Sequence, residues 1–293
     1  MNPSELLGLL TLERLDENLF RGQNQDIGAH AVFGGQVLGQ ALMAAGETVE
    51  GREAHSMHAY FLRPGDKSVP IIYDVERVRD GGSFTTRRVV AIQRGEPIFI
   101  LSVSFQKAEE GYCHQIEMPE VPAPEDLPCE SELRTAMADS LPAERRAFFT
   151  SVRPVEMRPI YPHDLWDKSD RPPEQGFWIR INTQVPDSPM LHRALLAYTS
   201  DFYLMGTALR PHGERFSSEG MQAASLDHAM WFHREFRMDE WVLYMMESPS
   251  SSGSRGLNLG KFYKRDGTLV ASCIQEGLIR RPRKQKQKQK QKQ

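Results

Sequence analysis

The feature that most restricts this chain is a repeated order of elements: a helix, then four long strands, twice over. In the first copy, residues 35 to about 50 read as a helix in which Gly39, Ala41, Ala44 and Ala45 let a sheet come close. Each interior glycine costs roughly 1 kcal/mol relative to alanine, so packing has to compensate. Strands follow at 55–62, 70–79, 84–93 and 97–107, with Arg94-Gly95-Glu96 as a tight hairpin. In the second copy a strand at 176–185 precedes a helix at 189–204, and strands follow at 221–232, 241–247, 255–265 and 268–280. Arg265-Asp266-Gly267-Thr268 is the matching hairpin turn. His58-Ala59 and His228-Ala229 stand 170 residues apart, and Gln106 and Gln275 stand 169 apart. The helices start about 155 apart, so the second copy gains some 15 residues between its helix and its histidine strand. Internal duplication is the simplest account. The expected fold class is α+β, two antiparallel sheets each wrapped around a central helix.

The flanks complete the plan. Residues 4–15 read as a short amphipathic helix and 19–23 as a short strand. Pro119, Pro122, Pro124 and Pro128 mark an extended connection, followed by a polar helical segment at about 131–149. The division expected is 1–108 for the first half, 109–150 for the linker, 151–282 for the second half, and 283–293 for a disordered basic tail in which Arg283 is followed by alternating Lys and Gln.

Composition narrows the function. At 40% hydrophobic and 26% charged, the chain can bury a core. Its net charge of −3 hides three Arg and five Lys from Arg280 onward, leaving residues 1–279 at −11. So acidic a body does not suit nucleic acid. No apolar run is long enough to span a membrane. The N-terminus lacks the basic start of a signal peptide, so a mature cytosolic protein is expected. Cys113, Cys129 and Cys273 are scattered, which fits a reducing compartment and neither a disulfide framework nor a zinc cage. Neither a metal nor a cofactor is expected.

The helix at 189–204 carries the chemical hint. Leu191, Ala194, Leu195, Tyr198 and Phe202 form one stripe. Asp201 falls roughly 20° around the helix from Ala194. A carboxylate on a buried face costs several kcal/mol unless it has donors or a task. Spacing alone leaves open a structural Asp and a working acid. Ser225 and Gln275 lie in later strands of the same half. Alternation puts Ser225, Asp227 and Ala229 on one face and Leu226, His228 and Met230 on the other, without saying which meets the helix. Gly34-Gly35, at the first helix start, exposes backbone N–H groups suited to a carbonyl oxygen or phosphate.

Several stretches, in order, resemble the acyl-CoA thioesterase II family: Val32-Phe33-Gly34-Gly35-Gln36-Val37, His58 to Asp66 (HAYFLRPGD), Tyr198-Thr199-Ser200-Asp201, Asp227 to Phe232 (DHAMWF) and Val270 to Gly277 (VASCIQEG). The resemblance covers nearly all of residues 5–282. It implies a double hotdog, two halves with their sheets joined, assembled as a homodimer or homotetramer. It also implies hydrolysis of fatty acyl-CoA to free acid and CoA, with Asp201, Ser225 and Gln275 as the catalytic group. Many members carry Thr where Ser225 stands; Ser keeps the hydroxyl and loses the methyl that restricts its rotamer. In that scheme Asp201 is the general base toward water, and Ser225 and Gln275 orient the water or the carboxylate. Oxyanion donors are expected among backbone N–H groups at a helix start, with Gly34 and Gly35 as candidates.

Other readings stay in view. Ser225 as an acyl-carrying nucleophile lacks a Gly-x-Ser-x-Gly elbow. A hotdog enoyl-CoA hydratase needs a His five residues after its Asp, and Gly206 stands there. A non-catalytic acyl-CoA sensor would want a DNA-binding module. His58 is expected to be buried or on the substrate side, and Trp231 and Phe232 to be core or interface. Asp227 and His228 are adjacent on a strand and face opposite ways. Arg63 and Arg234 suit CoA phosphates or surface ion pairs equally.

Overall fold

The computed structural model describes residues 1–28, 30–138, 146, 150, 152–164, 169–216, 218 and 220–281. The first half holds α1 (Pro3–Leu10), β1 (Glu13–Asp16), β2 (Leu19–Gly22), α2 (Gly34–Gly46), β3 (Glu53–Phe61), β4 (Ile71–Asp80), β5 (Phe84–Gln93) and β6 (Glu96–Gln106). The connection contributes α3 (Glu130–Met137). The second half holds β7 (Val155–Pro159), β8 (Glu174–Ile181), α4 (Pro189–Ser200), β9 (Gln222–Ser225), β10 (Asp227–Phe232), β11 (Val242–Ser252), β12 (Arg255–Lys264) and β13 (Leu269–Arg280).

Each half wraps an antiparallel sheet around one helix, as the α+β expectation had it. The two sheets are continuous, in the order β1-β2-β4-β5-β6-β3-β10-β13-β12-β11-β8-β7, with β9 added on β13. The joint is the antiparallel pair β3–β10, where His58 sits opposite Ala229 and Ala59 opposite His228. The duplicated His-Ala pairs therefore face each other about a pseudo-two-fold axis.

The helices α2 and α4 pack antiparallel, and both are buried on nearly all sides. Small residues set how close they come. A Cβ on Gly35 would lie 2.2 Å from the Tyr198 carbonyl oxygen, so only glycine fits there. The hairpins turn on positive-φ residues, Arg94 and Gly95 in one and Gly267 in the other, as twist-matched turns require.

Several boundaries differ from the periodicity. The first helix ends at Leu10, and residues 13–16 instead pair with β2 as strand β1. Helix α2 stops at Gly46, and residues 53–54 join β3. Strand β7 pairs with β8 in a stretch of the second half where the periodicity predicts no element. Of the helical segment expected at 131–149, the part to Met137 is α3; residues 139–145 and 147–149 lie outside the described residues. So does the Lys-Gln tail. The stretch 205–212 forms a 3-10 helix within the second half's extra residues.

Candidate active site

Asp201 does not lie within the helix. Helix α4 ends at Ser200, Asp201 is its C-cap, and Phe202 N–H closes the last turn on the Thr199 carbonyl. The chain reverses at Tyr203, whose φ is +62°. The carboxylate thus leaves the helix end and points at the start of α2. Gly35 N–H donates to Asp201 Oδ2 at 2.9 Å. A Cβ on Gly34 would lie 2.7 Å from the same oxygen, so the glycine pair also makes room for the acid. The positive end of the α2 dipole favours that negative charge.

Gln275 approaches from β13. Its Nε2 donates to Asp201 Oδ1 at 2.7 Å and to Ser225 Oγ at 3.1 Å. One amide nitrogen thus joins all three residues. It holds the carboxylate and hydroxyl oxygens no more than about 6 Å apart, a gap one water can bridge. Gln275 Oε1 is buried with no partner among the described residues.

Ser225 reaches this face because β9 and β10 are not one strand. Ala229 pairs with Ile274 and Met230 with Cys273, while Ser225 pairs with Gly277, one residue out of step. The extra residue at Leu226 reverses the alternation. Ser225 therefore shares the inward face with His228 and Met230, which plain alternation had set opposite it. Asp227 turns outward and accepts from Glu276 N–H at 2.8 Å.

Desolvation by burial raises the Asp201 pKa above the ordinary 3.8, and the bonds from Gln275 and Gly35 counter it. A support layer lies behind. Ser200 Oγ bonds His228 Nε2 at 3.0 Å, and Tyr244 Oη donates to the Ser200 carbonyl at 2.7 Å. Burial pushes His228 down to about 3, so its ring is neutral. Phe33, Tyr198 and Phe202 form an aromatic wall beside the carboxylate, with ring centroids 4.6–5.6 Å apart. Behind it, Tyr198, Phe202, Asp26 and Arg153 border a cavity of about 70 Å³.

The remaining residues of interest lie elsewhere. His58 is exposed, because Met57 and Ala59 take the inner face of β3, and its ring meets Trp231 edge-on at 5.2 Å on the outer face. Phe232 is buried. Arg63 bonds the Pro97 carbonyl and pairs with Glu96, and Arg234 bonds the Leu269 and His114 carbonyls. Gly35, weighed as an oxyanion donor, has its N–H on the acid instead. Among the described residues no group of three or more His, Cys, Asp or Glu is set to hold a metal ion. No helix among the described residues is long and apolar enough to cross a membrane.

The opposite end of the helix pair is not equivalent. The counterparts of Gly35 and Asp201, each 155 residues away, are Met190 and Gly46, and a Cβ on Gly46 would lie 2.8 Å from Met190 Cγ. That end has no carboxylate in the Asp201 position. Its Gln275 counterpart, Gln106, bonds Glu109 near the surface.

Known proteins resemble this chain in sequence and fold. Residues 145–278 match the family described as acyl-CoA thioesterase, and residues 21–106 match the acyl-CoA thioesterase N-terminal domain. The chain is 44% identical over 278 residues to acyl-CoA thioesterase 2 of Haemophilus influenzae, covering 94% of this chain and 97% of that one. It is 43% identical to human acyl-coenzyme A thioesterase 8, covering 93% and 88%. The crystal structure of acyl-CoA thioesterase II TesB2 from Mycobacterium marinum superposes with a TM-score of 0.77 at 42% identity, covering 94% and 98%. A hot dog fold protein from Alicyclobacillus acidocaldarius, at 18% identity and a TM-score of 0.75, shares the fold.

Proposed function

The chain belongs to the acyl-CoA thioesterase II family and is a double-hotdog thioester hydrolase, and from that membership we propose how it divides the work of cleaving fatty acyl-CoA to free acid and CoA. Asp201 accepts a proton from a water held between its carboxylate and the Ser225 hydroxyl. The incipient hydroxide adds to the thioester carbonyl. Gln275 fixes both oxygens, so the water and the base keep one orientation through the reaction. The tetrahedral intermediate expels the CoA thiolate, which takes up the proton parked on Asp201. The positive end of α2 lies at the site, where it favours the charge that develops on the carbonyl oxygen. The aromatic wall of Phe33, Tyr198 and Phe202 offers the acyl chain an apolar surface.

The observation that carries this reading is the single Gln275 nitrogen bonded to both Asp201 and Ser225. Water rather than Ser225 is the nucleophile, since the buried imidazoles of the same half are engaged elsewhere: His228 bonds Ser200 and His192 accepts from Met238 N–H. The test is Asp201→Asn with palmitoyl-CoA and a thiol reagent. Turnover should fall by about 10³-fold with an unchanged circular dichroism spectrum. Turnover near wild type in a folded variant would remove Asp201 from the mechanism.

The same reading carries two halves, 1–108 and 151–282, joined by the linker at 109–150, a homodimer or homotetramer in solution, and a cytoplasmic setting. The three cysteines are unpaired, which suits a reducing compartment. Light scattering on the purified chain and fractionation of the source cells test the last two.

A further inference from the structure

Two residues past Asp201, Tyr203 holds a backbone conformation that tyrosine rarely adopts, with φ at +62°. Left-handed backbone is strained for an L-residue with a Cβ. Three tethers keep it there. Its ring stacks on Phe177 with centroids 4.5 Å apart, and its carbonyl accepts from Gln175 Nε2 at 2.9 Å. Its hydroxyl donates to the Glu130 carboxylate.

Glu130 is an unusual partner. It comes from the connection between the halves, 73 residues away in sequence, and is 2% exposed. It sits in the first turn of α3, where the helix end favours an anion. Arg134 lies 3.6 Å from it, itself 2% exposed, and Arg153 lies 3.5 Å away. Burying this carboxylate with Arg134 costs free energy that a surface linker has no need to spend. The cluster touches none of Asp201, Ser225 and Gln275.

We propose that Glu130 and Tyr203 form a latch by which the linker holds the Asp201 carboxylate in register with Gln275 and Gly35. Tyr203 is then a positioning residue for the base, and the inference rests on Asp201 being that base. With the hydroxyl tether gone, Tyr203 relaxes toward negative φ and turns the peptides that follow the helix end. Asp201 then draws away from donors that now lie 2.7 and 2.9 Å from it. A carboxylate that loses donors while staying buried is harder to ionise.

The test is the pH profile of kcat in Tyr203→Phe, which deletes one oxygen and keeps the ring stack. The wild-type acidic limb reports Asp201. Of the groups around that carboxylate, burial raises Tyr198 and Tyr244, pushes Cys273 up to about 12 and holds His228 down at about 3, so these are neutral through this range; the charged Asp26 and Arg153 stand behind the aromatic wall, and Asp227 is bonded to Glu276 N–H. In Y203F the limb should move up by about half a unit or more. At pH 8, kcat should fall about tenfold with KM within about twofold, as for a displaced catalytic group. Should Y203F not fold, Glu130→Gln, which keeps an acceptor and removes the charge, should move the limb the same way by less. An unmoved limb with wild-type kcat overturns the latch, even if the melting temperature drops. Asp201→Asn run alongside separates the two ideas. If D201N retains turnover, the base assignment fails and the latch with it; if D201N is dead and Y203F keeps the wild-type profile, only the latch fails.

Discussion

Gly35 and Asp201 lie 166 residues apart in sequence, yet the amide of the first donates to the carboxylate of the second at 2.9 Å. The acid comes from one half of the chain and one of its two donors from the other. The site therefore exists only when α2 and α4 are packed, and that packing depends on glycine at the contact.

Asp201→Asn should stabilise the protein while disabling it. Burial raises the carboxyl pKa above 3.8, so the folded chain holds this proton to higher pH than the unfolded chain. The stability contributed is full below 3.8 and is lost as pH rises through the raised value, so at neutral pH the ionised group is a liability. Asparagine is nearly the same shape. Its carbonyl oxygen can accept from Gly35, and its amide can donate to Gln275 Oε1, which has no partner among the described residues, if the Gln275 amide turns over. At pH 7.5 the melting temperature of D201N should exceed wild type by roughly 1–3 °C, measured by calorimetry. An equal or lower value contradicts the burial cost assigned to this acid.

Gln275→Ala should reduce kcat by about 10²-fold, because both the carboxylate and the hydroxyl lose their common donor. Ser225→Ala should cost less, about tenfold, since the Gln275–Asp201 bond survives. Ser225→Thr keeps the hydroxyl and should remain within about threefold of wild type. Steady-state kinetics on one acyl-CoA orders the three; an Ala variant of Ser225 worse than that of Gln275 would reverse the ranking of their roles.

Gly35→Ala puts a methyl 2.2 Å from the Tyr198 carbonyl, inside contact distance. The neighbouring atoms are backbone and ring, so the helices must separate. Overpacking of this kind costs about 1–3 kcal/mol. Denaturant unfolding should show that loss, and kcat should fall with it as the amide leaves Asp201. A variant with wild-type stability would mean that the helices tolerate a wider spacing.

His228 should make the protein acid-labile. Its pKa is held at about 3 when folded against 6.5 when free. The neutral ring stabilises fully above 6.5, and that stability is lost as pH falls toward 3, at roughly 1.4 kcal/mol per pH unit. His228→Gln keeps a polar partner for Ser200 without a titrating group. Melting temperatures from pH 7 to pH 5 should fall less steeply in H228Q; parallel curves would place the acid sensitivity elsewhere.

The architecture was legible because it is written twice. Helix periodicity, strand alternation and hairpin glycines are local signals, and the spacing of the His-Ala pairs exposes the repeat. Asp201 was legible as an acid near a buried stripe, and the motif resemblance joined it to Ser225 and Gln275. What was hidden depends on geometry that periodicity does not carry. Ser225 turns inward only because Leu226 is an extra residue between β9 and β10. His58 faces out because the register of β3 gives the core to Met57 and Ala59. The latch residue Glu130 sits in a polar helix of a proline-rich linker, and nothing in that composition marks one carboxylate as buried.

The pairing of β3 with β10 about a pseudo-two-fold axis has a consequence for how such a chain can change. Two identical halves assembled as separate subunits would carry the same side chains at both ends of the helix pair, and any mutation would strike both. Here one end has Gly35 and Asp201, and the other Met190 and Gly46. Tying the copies into one polypeptide lets substitutions accumulate at the second end without altering the first.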